Sequence, residues 1–222
     1  PARRERHVNP GPLRLVLIRH GQTDANVRRE LDSVPPGAPL NELGLNQATA
    51  LGERLSTFPV TRVHASLATR AQQTAAPVAA AHGVEVAVLD GVHEVFVGDL
   101  EGRSDRHARE QFDVVYAAWW NGDLDARLPG GESAKDLRAR YLPVVEQITD
   151  GAHGDVVLVS HGAAIRLAAA ALLGDTAETL YVPNTGLVLL AADPSAPTGW
   201  ALEQWDTAVP VPGDVTAGGT AG

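Results

Sequence analysis

Histidine and arginine side chains recur where apolar runs of the sequence end. The segment Arg19-His20-Gly21 ends one run, and His161-Gly162 ends another. A glycine at such a turn lets a ligand approach the backbone closely, and the N–H groups that begin a following helix attract an anion. Arg70 adds a second guanidinium group shortly after a third run, residues 60–66. Two guanidinium groups and two imidazoles would together hold a compact dianion, for which phosphate is the natural candidate.

His20 is the candidate for a covalent role in this predicted site. A neutral imidazole can attack phosphorus and form a phosphohistidine, and neighbouring arginines disfavour protonation of the ring. The leaving alkoxide then needs a proton donor. Glu94 is the best candidate, because it follows the strand-like run 84–89 and its apolar neighbours favour the protonated carboxyl group. Asp99 and Glu101 compete with it, since both lie in the same segment.

The elements that must position these residues alternate between strand-like and helix-like patterns. Strands are predicted at 13–18, 60–66, 84–89, 156–160, 181–190 and 200–205. Helices are predicted at 46–55, 67–82 with an interruption near Pro77, 104–121, 133–148 and 163–173. This alternation predicts an α/β domain with a largely parallel sheet that is covered on both faces. Because parallel strands end at one edge of a sheet, both His-Gly turns are expected to meet there.

Length and composition fit a single globular domain. We expect the 222 residues to divide into a flexible arm at 1–12, a folded part at 13–206 and a disordered tail at 207–222. The net charge of −9 argues against a nucleic-acid binder, and no apolar run reaches the ~20 residues of a membrane helix. The absence of cysteine excludes disulfides and cysteine-bound metals. With no apolar core of a secretory signal near the start, we expect a cytoplasmic location; the oligomeric state is left open.

Five segments of the chain carry a resemblance to a known family. They are RHGQT with Asn26 (19–26), SLATRAQQTA (66–75), HEVFVGDLEG (93–102), GGES (130–133) and SHG (160–162). In this order and at this spacing the sequence resembles the histidine phosphatase superfamily, in the branch related to cofactor-dependent phosphoglycerate mutases. The resemblance extends from residue 13 to about residue 190.

The resemblance implies a role for each residue of the predicted site. His20 would be the nucleophile, Glu94 the proton donor, and Arg19, Arg70 and His161 the groups that hold the phosphoryl oxygens. The phosphate pocket would be completed by Gln22, Thr23 and Asn26, with Gly162 at the second turn. The resemblance also implies a three-layer α/β/α sandwich around a mostly parallel six-stranded sheet, with no metal or other cofactor.

Three functions fit this pattern. A phosphomonoesterase would hydrolyse a small phosphorylated metabolite through a phosphohistidine, whereas a phosphoglycerate mutase would return the phosphoryl group to another hydroxyl. A binding module would keep the phosphate pocket without the chemistry. Segments 27–34 and 98–105 do not match the mutase pattern, so the sequence favours the phosphatase.

The substrate and its direct contacts are left open by the sequence. Arg28 or Arg29 could reach an extended anionic substrate, and His93 could touch it by its position next to Glu94. The pair Trp119-Trp120 is expected to form the apolar face of a helix against the core, with a substrate lid as the alternative.

Overall fold

The computed structural model describes residues 11–175 and 179–208 of the chain. Most of the predicted N-terminal arm (1–12) and of the predicted C-terminal tail (207–222) lies outside the described residues, so these two predictions are not tested. None of the helices in the described ranges is long and apolar enough to cross a membrane.

The described residues form alternating strands and helices around one sheet. The strands are β1 (Arg14–Arg19), β2 (Val60–Ser66), β3 (Val86–Leu89), β4 (Asp155–Ser160), β5 (Leu187–Ala192) and β6 (Trp200–Trp205). The helices are α1 (Asp24–Arg28), α2 (Glu42–Leu55), α3 (Thr69–His82), α4 (Arg106–Trp120), α5 (Ala134–Thr149) and α6 (Gly162–Leu172).

The six strands lie in the order β3-β2-β4-β1-β5-β6. The first four are parallel to one another, and β5 and β6 join antiparallel. The predicted α/β class and mostly parallel six-stranded sheet are therefore confirmed. The strand predicted at 181–190 was wrong at its start, because Pro183 and the left-handed Thr185 (φ 57°) form a turn before β5 begins at Leu187.

The central strand β1 shows why helices cover both faces of the sheet. Leu15 and Leu17 belong to a core that includes side chains of α4, α5 and α6. Val16 and Ile18 belong to a second core, formed with α2 and α3 on the opposite face. Because successive side chains of a strand point to opposite faces, an uninterrupted apolar run satisfies both cores.

Helix α3 differs from its prediction because it continues through Pro77. At this position α2 approaches closely: a Cβ atom added at Gly52 would lie 3.0 Å from the Pro77 carbonyl carbon. Tertiary packing of this kind overrides the poor helix propensity of proline. The continuous α3 keeps its first turn, which carries Arg70, next to the carboxyl end of β2.

Candidate active site

The two strand-end histidines meet because β1 and β4 are parallel neighbours. Arg19 pairs with Ser160 in the sheet register, and the backbone N–H of His20 donates to the Ser160 carbonyl oxygen at 3.1 Å. The ring centroids of His20 and His161 are 5.1 Å apart, and both residues are buried. The sheet edge thus brings together residues that are 141 positions apart in the sequence.

Arg70 reaches both rings from the first turn of α3. Its Nε lies 3.1 Å from His20 Nε2, and its Nη2 lies 3.3 Å from His161 Nδ1. Together with Arg19, which directly precedes His20, these residues form what we call the His–Arg cluster: Arg19, His20, Arg70 and His161.

The hydrogen bonds of His20 fix its tautomer. Nδ1 lies 2.7 Å from the carbonyl oxygen of Gly21. A carbonyl oxygen can only accept, so Nδ1 carries the proton and Nε2 keeps its lone pair facing Arg70. Burial lowers the pKa of His20 well below 6.5, and the charges of Arg70 and Arg19 lower it further. The sequence predicted the contribution of the arginines, and burial proves to be the larger cause.

The ring of His161 has a serine partner on its far side. Ser66 Oγ lies 2.7 Å from Nε2, so the hydroxyl group can either accept a proton from this nitrogen or donate one to it. Burial, followed by the charges of Arg70 and His20, lowers the pKa of His161 well below 6.5. The ring is therefore neutral. Because a guanidinium group can only donate, the Nδ1 atom that faces Arg70 Nη2 keeps its lone pair, and the proton lies on Nε2 beside Ser66.

The guanidinium group of Arg19 is hydrogen-bonded through Nη1, whereas its Nε has no partner in the described residues. Its Nη1 donates to the Tyr181 hydroxyl group at 2.6 Å and to the Val182 carbonyl oxygen at 2.9 Å. Its Nε is buried and has no hydrogen-bond partner among the described residues. A Cβ atom added at Gly162 would lie 3.4 Å from this Nε, so the glycine leaves the space beside it open. The free N–H is available to an oxyanion.

Asp32, which the sequence analysis missed, anchors Arg70. Arg70 Nη1 donates to Asp32 Oδ2 at 3.0 Å, and Nη2 donates to the Asp32 carbonyl oxygen at 2.7 Å. Burial lowers the pKa of Arg70, and the charges of Asp32, Glu94 and Glu101 oppose this shift. The aspartate lies in a proline-rich loop with no motif around it, so no sequence signal pointed to it.

The Glu94 carboxylate lies at the N-terminus of α6, the helix that begins directly after His161. It accepts hydrogen bonds from the backbone N–H groups of Ala163 at 3.2 Å, of Ala164 at 2.9 Å and of Val95 at 2.9 Å. The prediction of apolar surroundings was therefore wrong for the carboxylate itself, because a helix N-terminus offers unpaired donors to an acidic group.

The carboxylate of Glu101, an alternative proton donor, binds a loop instead of helix α6. It accepts from the backbone N–H groups of Ser33 at 2.9 Å and Val34 at 3.1 Å, and from the Ser33 hydroxyl group. It thereby fixes the loop that also carries Asp32. Of the three acidic candidates, Glu94 is the one that accepts hydrogen bonds from the first turn of α6 within the described residues.

Residues 91–97, which we call the acid loop, are clamped by a pair of side chains that the sequence analysis did not identify. Arg140 of α5 donates to the carbonyl oxygens of Gly91 at 2.7 Å, His93 at 3.0 Å and Glu94 at 2.9 Å. Its Nε donates to Glu132 Oε1 at 2.8 Å. The GGES segment, which contains Glu132, was the sequence signal that could have pointed to this pair. In the structure, this segment supports the acid loop.

The structure places Gln22, Thr23 and Asn26 around the start of α1. Thr23 Oγ1 accepts from the Asn26 N–H at 3.1 Å, and Asn26 Oδ1 accepts from the Thr23 N–H at 3.1 Å, which is a capping box. Gln22 Oε1 accepts from Asn41 Nδ2 at 3.0 Å. These three predicted pocket residues therefore organise the backbone that follows His20.

Asn184 links this capping box to the cluster and was also missed. Its Nδ2 donates to the His20 carbonyl oxygen at 2.9 Å and lies 3.3 Å from Asn26 Oδ1. The Pro-Asn-Thr-Gly sequence at 183–186 is typical of a turn, and that turn signal could have separated Asn184 from the predicted strand.

The side chains left open by the sequence take different positions. Arg28 is exposed and pairs with Glu30 at 2.9 Å. Trp119 is buried in the core and donates from Nε1 to the Ala126 carbonyl oxygen at 2.7 Å, which confirms its predicted packing role. His93 is buried, with its ring centroid 4.5 Å from that of Phe96.

Comparisons with known proteins found a family model and similar proteins. The sequence model of the histidine phosphatase superfamily (branch 1) matches residues 15–207. A protein of Salmonella choleraesuis named "Probable phosphoglycerate mutase GpmB" is 31% identical over 163 residues, which cover 73% of this chain and 75% of the relative.

Two solved structures are also similar. A mycobacterial glucosyl-3-phosphoglycerate phosphatase is 30% identical with a TM-score of 0.73, and the alignment covers 88% of this chain and 99% of that one. The alpha-ribazole phosphatase from Shigella flexneri is 29% identical with a TM-score of 0.69, covering 89% of this chain and 98% of that one.

Proposed function

The chain belongs to branch 1 of the histidine phosphatase superfamily, and on this premise we propose that it is a metal-independent phosphomonoesterase that transfers the phosphoryl group of a small metabolite to His20. The observation that carries the proposal is the fixed tautomer of His20. Nδ1–H donates a hydrogen bond to the Gly21 carbonyl oxygen at 2.7 Å, so the Nε2 lone pair faces Arg70 inside the cluster. A neutral, oriented imidazole is what attack on phosphorus requires.

In the first step His20 Nε2 attacks phosphorus while the bond to the ester oxygen breaks. The Nε–H groups of Arg19 and Arg70 face the phosphoryl group in this step. That of Arg19 has no partner in the described residues, and that of Arg70 points at Nε2 of His20. Fixed cationic donors stabilise the charge that spreads over the equatorial oxygens. These side chains supply the charge that a metal would otherwise provide.

His161 completes the oxygen contacts in the same step. Its Nδ1 can donate to a phosphoryl oxygen once Ser66 Oγ–H donates to Nε2, a rearrangement that the 2.7 Å contact permits. Glu94, whose carboxylate lies at the N-terminus of α6, gives a proton to the departing alkoxide. General acid help of this kind contributes roughly 10²–10⁴-fold in rate.

In the second step water attacks the phosphorus of the phosphohistidine. Glu94 takes a proton from that water, the P–N bond breaks, and His20 regains its Nε2 lone pair as phosphate leaves. The backbone around His20 is tied to Asn184 and through it to Asn26, which keeps the ring in place through both steps. A cytoplasmic location and the absence of nucleic-acid binding stay predictions of the sequence.

A phosphatase activity is tested with p-nitrophenyl phosphate in the presence of EDTA. We expect turnover that persists in EDTA and an acid-labile, base-stable phosphoprotein that is absent from His20→Ala. Normal turnover by His20→Ala would overturn the role of the nucleophile. A requirement for an added metal would overturn the metal-independent mechanism.

The role of Glu94 is tested by the leaving group. Glu94→Gln should lose most of its activity on alkyl phosphates, whose alkoxide needs a proton, and much less on p-nitrophenyl phosphate, whose phenolate leaves unprotonated. An equal loss on both esters would point to a role other than proton donation.

The mutase is the second candidate, because a relative at 31% identity carries that name. It predicts interconversion of 3- and 2-phosphoglycerate that depends on 2,3-bisphosphoglycerate. We expect hydrolysis to be faster than this interconversion, and the reverse order of rates would favour the mutase.

A further inference from the structure

Two arginine Nε atoms in the described parts of the chain are buried without a hydrogen-bond partner, those of Arg19 and Arg166. Arg19 faces the phosphoryl position of the proposed reaction. Arg166 lies on α6, outside the His–Arg cluster, and the proposed mechanism gives it no task.

The surroundings of Arg166 hold its guanidinium group without neutralising it. Nη1 donates to the Tyr116 hydroxyl group at 2.6 Å, and Nη2 donates to the Thr179 carbonyl oxygen at 2.6 Å. Its Cζ lies 4.5 Å from the centroid of the Trp120 ring and 5.2 Å from that of Tyr116. Across residues 11–175 and 179–208, no carboxylate lies within ion-pair distance of this guanidinium group.

Arg138 provides an internal comparison, because it lines the same cavity of about 540 Å³ as Arg166 and Trp120. Both of its Nη atoms pair with Asp175, at 3.0 and 2.6 Å, and its Nε donates to the Leu167 carbonyl oxygen at 3.1 Å. One arginine of the cavity is thus fully paired within the protein, and the other keeps a free N–H. The Nε–H of Arg166 is buried, and a buried donor without a hydrogen-bond partner is costly unless a ligand supplies one.

Arg166 lies on α6 about one turn beyond the backbone N–H groups that bind the Glu94 carboxylate. On a helix, residues three and four apart share a face, so Arg166 lies on the face of Gly162 and Ala163, about one turn or 5.4 Å along α6. The N–H of Ala163 is a donor to Glu94. A helical side chain leans towards the N-terminus of its helix, which brings the guanidinium group back towards this carboxylate.

The hydroxyl group of Tyr116 lies within electrostatic range of both Arg166 and Glu94. Burial raises the pKa of Tyr116 to about 12, with Arg166 opposing the shift and the charge of Glu94 adding to it. Both charges therefore act on one hydroxyl group. Since Glu94 protonates the leaving oxygen, a leaving group that extends beyond it along α6 approaches Tyr116 and Arg166.

We propose that Arg166, framed by Tyr116 and Trp120, binds a negatively charged group on the alcohol that leaves during hydrolysis. The preferred substrates are then phosphomonoesters whose alcohol carries a carboxylate or a second phosphate. This subsite rests on the proposed phosphatase function and deepens it, because it selects among esters that share the same reacting phosphoryl group.

The test compares pairs of esters in which one member carries an additional negative charge on the alcohol. The values of kcat/KM are measured for 3-phosphoglycerate against glycerol 3-phosphate, and for fructose 1,6-bisphosphate against fructose 6-phosphate. We expect the protein to favour the charged member of at least one pair by about 10- to 100-fold, the range for a hydrogen bond between charged groups. The pair that shows the preference distinguishes a carboxylate from a phosphate.

Variants of the two cavity arginines separate binding from structure. Arg166→Gln should lower kcat/KM for the charged ester by about 10- to 100-fold, chiefly through KM, and for its neutral counterpart by only about 2- to 3-fold. Arg138→Gln, the matched control, should leave the ratio between the two esters unchanged. An equal loss on both esters with Arg166→Gln, or no preference in the unaltered protein, would overturn the subsite.

A measurement on the unaltered protein covers the case in which Arg166→Gln fails to fold. Glycerate should inhibit hydrolysis of p-nitrophenyl phosphate at concentrations about 10-fold lower than glycerol does, and equal inhibition would again overturn the subsite. Absence of any hydrolysis of p-nitrophenyl phosphate would instead refute the phosphatase function itself, so the two failures are distinguishable.

Discussion

Replacement of Arg140 by glutamine tests whether the acid loop depends on its clamp. The guanidinium group donates to three carbonyl oxygens of this loop, one of them that of Glu94, and it pairs with Glu132. A glutamine side chain is shorter and cannot reach these acceptors together. We expect the acid loop to move and the Glu94 carboxyl group to lose its alignment with the leaving oxygen.

The magnitude follows from burial and from the chemistry of the acid. The side chains of Arg140 and Glu132 are 18% and 17% exposed, so the lost contacts are largely desolvated. Breaking such a pair by removing one partner costs about 3–5 kcal/mol of unfolding free energy. A displacement of about 1 Å costs roughly 10²-fold in rate, which lies within the range of general acid help. We therefore expect kcat for alkyl phosphates to fall roughly 10²-fold.

The assay combines urea unfolding with kcat on an alkyl and an aryl ester. Because p-nitrophenolate leaves without a proton, its kcat should fall much less than that of the alkyl ester, and the ratio of the two should change. Glu132→Gln keeps the arginine and its contacts to carbonyl oxygens, so it should show a smaller change of the same kind. If Arg140→Gln slows both esters equally, the clamp does not act through Glu94.

Three further predictions concern the His–Arg cluster. The pKa values of its two histidines are lowered in the folded protein, so between pH 6.5 and those lower values the unfolded chain binds more protons than the folded one. The free energy of unfolding should therefore fall as the pH falls, by up to about 1.4 kcal/mol per pH unit for each ring. A urea midpoint that rises as the pH falls would contradict this. Gly37→Ala would place a Cβ atom 2.3 Å from Arg70 Nη1, so kcat/KM should fall about 10- to 100-fold. The control is Gly83→Ala, at a similar φ of 65° with nothing within 4 Å of the added Cβ atom, which should lower stability without changing kcat/KM. Equal values of kcat/KM for the two variants would refute the effect of the contact with Arg70. Tyr181→Phe removes the 2.6 Å hydrogen bond to Arg19, and KM should rise about 5-fold; an unchanged KM would show that the Val182 carbonyl oxygen suffices to orient the guanidinium group.

The sequence predicted those parts of the site that a strand-to-helix turn positions by itself. His20 and His161 each follow a continuous apolar run, and parallel pairing of two such runs brings their ends together whatever the rest of the chain does. Arg70 obeys the same rule from the end of β2. For these residues the local pattern and the topology carry the same information, which is why the fold class and the cluster could be predicted together.

The supporting residues could not be predicted, because their partners are set by tertiary contacts without a local pattern. Asp32 meets Arg70 across 38 positions of sequence, and Arg140 meets the Glu94 carbonyl oxygen across 46. Each is an ordinary charged residue in a loop or on a helix surface until its partner is known. The apolar neighbours of Glu94 were misleading for the same reason, since the N–H groups that bind its carboxylate come from a helix 69 positions away.

These supporting contacts explain how two cations can lie beside a neutral nucleophile. Asp32 takes two N–H groups of Arg70, and Tyr181 with Val182 takes one nitrogen of Arg19, so that the Nε–H of each guanidinium group remains directed at the site. The hydrogen bond from Arg70 Nε to His20 Nε2 is held in place by anchors on the opposite side of the guanidinium group. A bound phosphoryl group would replace this hydrogen bond, because its oxygens accept from both arginines while its phosphorus meets the Nε2 lone pair. The site is therefore organised around the charge of the reacting group, and its selectivity has to come from contacts with the leaving alcohol.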